Sequence, residues 1–191
     1  GTVKDDASGL ATAPELQHAR APGLTCIGSV EGGTPGRVDQ PINDSKGCGG
    51  VMRVAPVGLV ASSPAQAWEL GCGTAALTHS HPGGWAPSGA MAVMIEALCS
   101  GQSLTAAIDS GRAALADEPR ADDALDWLDR GIALGQRGAL DGETIDGFGE
   151  GWTGDEALAI SVACVLAEPD PNQALLISVN HSGDSDSTGS I

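Results

Sequence analysis

Two carboxylates and a run of hydroxyls lie within five positions in Asp184-Ser185-Asp186-Ser187-Thr188, directly after His181-Ser182-Gly183. In an extended segment, side chains at i and i+2 point the same way. Asp184 and Asp186 can then offer oxygens to one ion while Ser187 or Thr188 adds a hydroxyl. Oxygen donors of this kind suit Mg²⁺, Mn²⁺ or Ca²⁺, and nothing softer lies nearby in the sequence.

Two other readings fit the same residues. Acidic turns rich in Ser and Asp occur as solvated loops and helix N-caps. Written as D-x-D-x-T-G-x-I, the segment also matches positions 1, 3, 5, 6 and 8 of an EF-hand calcium loop, whose bidentate Glu at position 12 would fall beyond Ile191. An EF-hand loop follows a helix directly, whereas Asn180-His181-Ser182-Gly183 breaks any helix just before Asp184. No second D-x-D-x-[DNST]-G occurs.

Three further segments have chemistry-bearing composition. Asn43-Asp44-Ser45-Lys46-Gly47-Cys48-Gly49-Gly50-Val51-Met52-Arg53 places three glycines in four positions, which lets a backbone approach a ligand closely and turn N–H groups toward phosphate oxygens. A tight structural turn has the same composition. Thr78-His79-Ser80-His81-Pro82-Gly83-Gly84-Trp85 holds two of the four histidines and a Trp able to stack on a base or ribose, with Ser88-Gly89 expected to open a helix. Either His could equally be a helix cap or a packed residue. No Cys or third His is spaced for zinc. Glu150-Gly151-Trp152-Thr153-Gly154-Asp155-Glu156 puts another Trp just before a helix, where it could also pack as a staple.

The elements that must position these segments are helical. Apolar or small residues recur at i, i+4, i+7 and i+11 in Leu104, Ile108, Gly111 and Leu115, and with helical spacing in Leu158, Val162, Val165 and Leu166. Ser103 can cap the first of these helices, and Asp155 and Glu156 sit in the first turn of the second. The spacing predicts helices over 103–117 and 154–167, with others at about 65–77, 88–99, 121–136 and 172–179. Sustained strand alternation is absent, so the fold class is all-α. Residues 1–50 are punctuated by Ala21-Pro22-Gly23, Gly32-Gly33-Thr34-Pro35-Gly36 and Gly47-Cys48-Gly49-Gly50. They read as ordered loop, with one short helix near 13–19.

Composition narrows the function classes. The 191 residues suffice for one domain with a real core, and 41% hydrophobic content is globular. A formal charge of −16, from 25 acidic and 9 basic residues, argues against nucleic acid and against an anionic membrane as partner, because no basic stripe exists. An anionic ligand would have to be held by backbone N–H groups. Cys26, Cys48, Cys72, Cys99 and Cys164 are odd in number and widely spaced, without a C-x-x-C. They read as reduced thiols of a cytoplasmic protein. No apolar run reaches the roughly 18 residues of a membrane span.

Taken in order, Arg20-Ala21-Pro22-Gly23-Leu24-Thr25-Cys26, Ser45-Lys46-Gly47-Cys48-Gly49-Gly50-Val51-Met52-Arg53, Thr78-His79-Ser80-His81-Pro82 and Asn180-His181-Ser182-Gly183-Asp184-Ser185-Asp186-Ser187 resemble the ADP-ribosylglycohydrolase family. That family includes the dinitrogenase reductase-activating glycohydrolases and the ADP-ribosylarginine hydrolases. The resemblance spans nearly the whole chain. It implies a compact multi-helix bundle that hydrolyses the ribosyl bond of ADP-ribosylated protein side chains, of arginine or serine type, and releases ADP-ribose. It also implies two divalent cations, Mg²⁺ or Mn²⁺, with Asp184, Asp186 and Ser187 as metal ligands and the two aspartates as catalytic residues. ADP-ribose would be bound by Ser45, Gly47, Cys48, Gly49, Gly50, Met52, His79, His81, Gly84, Trp85, Ser88, Gly89, Gly151 and Trp152. Within that set, Gly47 to Gly50 and Ser88-Gly89 would meet the diphosphate, and Trp85 or Trp152 would stack on ribose or adenine. The family's remaining metal ligands lie in an upstream Thr-Asp-Asp motif, accompanied by Gly-Asp-x-x-Gly, and neither occurs in this sequence. The expectation is therefore that residues 1–191 form the central and C-terminal portion of a single domain, incomplete at both ends, inactive alone and partnered by a missing N-terminal portion. A non-catalytic ADP-ribose-binding member of the same fold, similar to the J1-type crystallins, is the alternative.

Overall fold

The computed structural model describes residues 12–18 and 22–191. Asp5, Asp6, Arg20 and Ala21 lie outside the described residues. Among those described are ten α-helices and no strand: α1 Leu24–Glu31, α2 Ala55–Val60, α3 Pro64–Ala76, α4 Pro82–Cys99, α5 Leu104–Ala116, α6 Asp122–Gly135, α7 Gly142–Phe148, α8 Gly154–Ala167, α9 Pro171–Ser178 and α10 Ser185–Ser190. The all-α expectation holds. No helix among the described residues is long and apolar enough to cross a membrane.

Local chemistry accounts for most helix ends. Ser63 and Ser103 accept hydrogen bonds from Gln66 N and Ala106 N and so cap α3 and α5, while Asp170 caps α9 through Asn172 N and Gln173 N. Pro64, Pro82 and Pro171 stand at first helical positions, where the missing N–H costs nothing. The helices expected over 65–77, 103–117, 121–136, 154–167 and 172–179 are present within two residues at each end.

Four differences from the sequence expectation have physical causes. Helix α4 begins at Pro82 rather than 88, because Pro87 is accommodated inside it. That proline leaves the Gly83 carbonyl without its usual donor, and the backbone of Gly154 packs against the freed oxygen. Ser88-Gly89 consequently lies within α4 and does not open a helix. Helix α1 forms in the glycine-punctuated region but buries no residue. The short stretch near 13–19 is a single 3₁₀ turn, Pro14–Leu16. Finally, the segment after Asp184 is helical rather than extended, with Asp184 at the N-cap position of α10. The i, i+2 argument for its side chains does not apply there.

Two helices are buried on nearly every side. Trp85, Ala86, Ala90, Val93 and Met94 of α4 and Ala157, Leu158 and Val162 of α8 share one core with residues of α3, α5 and α6. The contacts are made through small residues. A side chain at Gly131 of α6 would strike the Ala159 carbonyl of α8 at 2.4 Å, and one at Gly135 the Ala163 carbonyl at 2.6 Å. Gly71 of α3 packs on the Ser88 carbonyl and Gly89 of α4 on the Cys72 thiol, both closer than any Cβ permits. Glycine contacts of this kind let helices approach with few large side chains between them, consistent with a chain that has 28 glycines and only 3% aromatic residues.

Gly131→Val should destabilise the protein by about 1–3 kcal/mol or more through overpacking between α6 and α8. Gly73→Ala, at a helical position where a Cβ meets nothing within 4 Å, should stabilise it by roughly 0.5–1 kcal/mol. Denaturant unfolding of both variants checks the pair, and equal effects would contradict the packing described.

Candidate functional site

Three loops meet beside α10. The 45–50 loop is bridged to the turn before α8 by an antiparallel pair, Gly47 with Thr153. Cys48 N donates to Trp152 O at 3.2 Å and Gly154 N to Lys46 O at 2.8 Å. The same turn holds the acidic segment, since Asp184 N donates to Glu150 O at 2.7 Å. Gly183 is required at that crossing because its Cβ would stand 2.1 Å from Glu150 O. Gly151 has φ +78, a left-handed conformation that glycine adopts without strain, and its N–H is taken by Glu156.

Helix α10 contains no apolar residue, so its docking is polar. Ser161 Oγ of α8 donates to Thr188 O, and Thr188 Oγ1 donates to Ser178 O of α9 at 2.6 Å. His181 braces the preceding turn, with Nδ1 accepting from Gly183 N at 3.1 Å and Nε2 bonded to Thr188 Oγ1 at 2.9 Å. His181 and Thr188 thus set the position of Asp184 without reaching the site. Their spacing in the sequence carried no sign of it.

The buried Asp184 carboxylate lies at the meeting point. Its Oδ2 accepts from the Cys48 thiol at 2.9 Å and from Ser187 Oγ at 3.0 Å. Cys48 Sγ and Ser187 Oγ are themselves 3.2 Å apart, and Met52 Sδ lies 3.6 Å from Ser187 Oγ. The exposed Asp186 carboxyl adjoins Asp184, which raises its pKa, first through a shared hydrogen bond and further through like-charge repulsion, with burial adding to the shift. Two adjacent carboxyls and a hydroxyl form an oxygen donor set that fits a hard divalent cation. Among the described residues no three His, Cys, Asp or Glu side chains come together as a complete metal site. Cys48 faces this cluster instead of open space, and burial followed by the Asp184 carboxylate pushes its thiol up to about 12.

The glycines of the 45–50 loop each face protein. A Cβ on Gly49 would stand 2.8 Å from His79 Cε1, and one on Gly47 3.2 Å from the same ring. Gly50 abuts Ala75 and the Gly84 carbonyl, and Gly84 abuts the Ser45 carbonyl. The loop is therefore clamped on the α3–α4 turn. Neither the N–H of half-buried Gly49 nor that of buried Gly50 makes a hydrogen bond within the described residues.

The remaining candidates separate by burial. His81 caps α4, its Nδ1 accepting from Gly83 N at 3.0 Å. Trp85 is 1% exposed and carries the Arg120 guanidinium 4.8 Å from its ring, so no face is free for a ligand. Ser88 is fully buried and donates to Gly84 O, and Gly89 packs on α3. Trp152 is 57% exposed, with its indole N–H donated to Glu150. The structure thus brings together Ser45, Gly47, Cys48, Gly49, Gly50, Met52, His79, Gly84, Gly151, Trp152, Asp184, Asp186 and Ser187, and it places Trp85, Ser88 and Gly89 in the core.

The fold is all-helical, and Asp184, at the start of α10, meets the 45–50 loop through the Cys48 thiol. A family model described as ADP-ribosylglycohydrolase matches residues 5–191, and the chain belongs to the ADP-ribosylglycohydrolase family. No curated protein and no solved structure matches it. Family membership implies glycohydrolase chemistry in general.

The Cys48 thiol should resist alkylation at pH 8. A thiol lifted to about 12 is almost wholly protonated at that pH, and only the thiolate reacts. Timed iodoacetamide labelling with peptide mapping should modify the exposed Cys99 well before Cys48, the difference vanishing in denaturant. Labelling of Cys48 as fast as Cys99 in the folded protein would contradict the thiol–carboxylate contact.

Proposed function

We propose that this chain supplies the ADP-ribose cleft and one half of the metal centre of an enzyme that hydrolyses the ribosyl bond of ADP-ribosylated arginine or serine side chains, releasing ADP-ribose. The observation carrying this reading is the Asp184–Asp186 pair with Ser187, in contact through the Cys48 thiol with a glycine loop whose Gly49 and Gly50 N–H groups make no hydrogen bond among the described residues. Asp184, Asp186 and Ser187 would hold Mg²⁺ or Mn²⁺. Bound there, the cations would supply Lewis-acid polarisation and a water acidified enough to attack.

The chain's own residues then have distinct tasks. Gly49 and Gly50 N–H groups meet diphosphate oxygens, so that a strongly acidic protein can bind a dianion through local dipoles. Trp152, the exposed indole at the site, stacks on ribose or adenine. Cys48 and Ser187 fix the Asp184 carboxylate by donating to its Oδ2. The family's Thr-Asp-Asp ligands are absent from these 191 residues, and we assign the rest of the ligand set to an N-terminal portion of the same protein. A purely ADP-ribose-binding role is the second reading, favoured by the lack of a three-carboxylate cluster among the described residues.

The test is ADP-ribose release from modified arginine and serine substrates by protein carrying the Thr-Asp-Asp portion. Asp184→Asn or Asp186→Asn should lower the rate by orders of magnitude while the helical circular-dichroism spectrum is kept, since each removes a charged ligand and no core packing. Near-normal turnover by either variant at limiting Mg²⁺ would reject the assignment. Unchanged ADP-ribose binding with no turnover in the parent protein would favour the binding role.

A further inference from the structure

His79 is buried, and every polar neighbour of its ring bears on which nitrogen holds the proton. Arg53 Nη2 donates to Thr78 Oγ1 at 2.6 Å. Guanidinium has no acceptor, so the Thr78 oxygen must accept there, and its own hydrogen has to go elsewhere. The His79 Nδ1 lies 2.8 Å away and the Ala75 carbonyl at 3.5 Å. The nearer atom takes the hydrogen, and Nδ1 must then be unprotonated.

The proton of the neutral ring consequently sits on Nε2. That nitrogen adjoins the Gly47 and Gly49 backbone, 3.2 Å and 3.0 Å from their Cβ positions. It makes no hydrogen bond within the described residues. It is not an enclosed orphan either, for the buried side-chain atom left without a partner there is Glu96 Oε2. The groups facing the ring are Arg53 from the 51–53 turn, Thr78 at the end of α3, and the Cys26 thiol of α1, which lies 3.6 Å from Arg53 Nη1.

We infer that Arg53 and Thr78 are positioning residues that lock His79 as the neutral Nε2–H tautomer, presenting one uncharged donor beside the N–H groups of Gly49 and Gly50. A second proton is disfavoured. On Nδ1 it would force the Thr78 hydrogen onto the more distant Ala75 carbonyl, and the resulting cation would lie next to the Arg53 charge. Burial, followed by that charge, brings His79 down to about 4. The donor set at the glycine loop therefore keeps its character across the neutral range. The inference rests on the functional reading only for the identity of the oxygen that His79 meets, a diphosphate or ribose oxygen of ADP-ribose. The tautomer itself is independent of any ligand.

Nitrogen-15 NMR of histidine-labelled protein reads the tautomer directly, with His79→Gln used only to assign its signals among the four histidines. Expected for the wild type is a pyridine-like Nδ1 and a pyrrole-like Nε2 from pH 8 down to about 5, with no titration near the ordinary histidine midpoint of about 6.5. Thr78→Val should mix the tautomers and Thr78→Ser should restore a single one, while Arg53→Met should raise the titration midpoint by about one unit or more. A protonated Nδ1 in the wild type would overturn the inference even if no variant folds, as would a wild-type midpoint near 6.5 or an unaltered spectrum in folded Thr78→Val. Adding ADP-ribose separates this from the functional reading. A shift of the Nε2 signal supports both, and the wild-type tautomer with no shift on ADP-ribose removes the ligand assignment while the positioning role stands.

Discussion

Main-chain hydrogen bonds through the 150–154 turn hold the site together. Lys46 and Cys48 lie more than a hundred residues before it, and Asp184 lies about thirty after. Each is tied to it through backbone atoms. Backbone bonds constrain position more tightly than side-chain contacts, because no rotamer freedom intervenes. Helix α8 starts from this turn and is buried on nearly every side, so the crossing is anchored in the core rather than on a mobile surface. The Asp184 carboxylate and the Cys48 thiol meet because their backbones are already fixed.

That arrangement demands close approach at several points, and glycine supplies it. Gly183 lets the acidic segment cross Glu150, Gly154 lets α8 start against α4, and Gly47 and Gly49 admit the His79 ring. The same device recurs between helices at Gly71, Gly89, Gly131 and Gly135. Glycine in a helix weakens its intrinsic stability by roughly 0.5–1 kcal/mol per residue, an effect offset here by backbone-to-backbone packing. The core is built of alanines, glycines and few aromatics, and the functional groups gather where loops meet.

The long helices were legible because their apolar spacing and caps agree. Ser103 and Leu104 to Leu115 define α5, and Gly154 to Ala167 define α8. Helices α1, α7 and α10 were not legible. Helix α7 buries only Ile145, and α10, with the residues Ser-Asp-Ser-Thr-Gly-Ser, has no apolar periodicity at all, so tertiary hydrogen bonds to Ser161 and Ser178 make it a helix. Pro87 hid the first six residues of α4, since proline ordinarily marks a boundary. Of the site, the structure brings the aspartate pair and the glycine loop into contact through Cys48 and Asp184. Residue type could not distinguish the core Trp85 from the exposed Trp152. Nor could it reveal that Cys48 faces a carboxylate 136 positions away, or that Arg53 and Thr78 govern the proton on His79.

The central proposal is that the aspartate pair at α10 holds a divalent cation beside the glycine loop. Paramagnetic broadening of backbone amide signals by substoichiometric Mn²⁺ tests it most directly, because the effect falls steeply with distance and needs no substrate. The account predicts selective loss of the signals of Cys48 to Met52 and Asp184 to Thr188, reversed by excess Mg²⁺. Broadening confined to the acidic face of α6, at Asp122, Asp123, Asp126 and Asp129, with the signals around Asp184 intact, would contradict it.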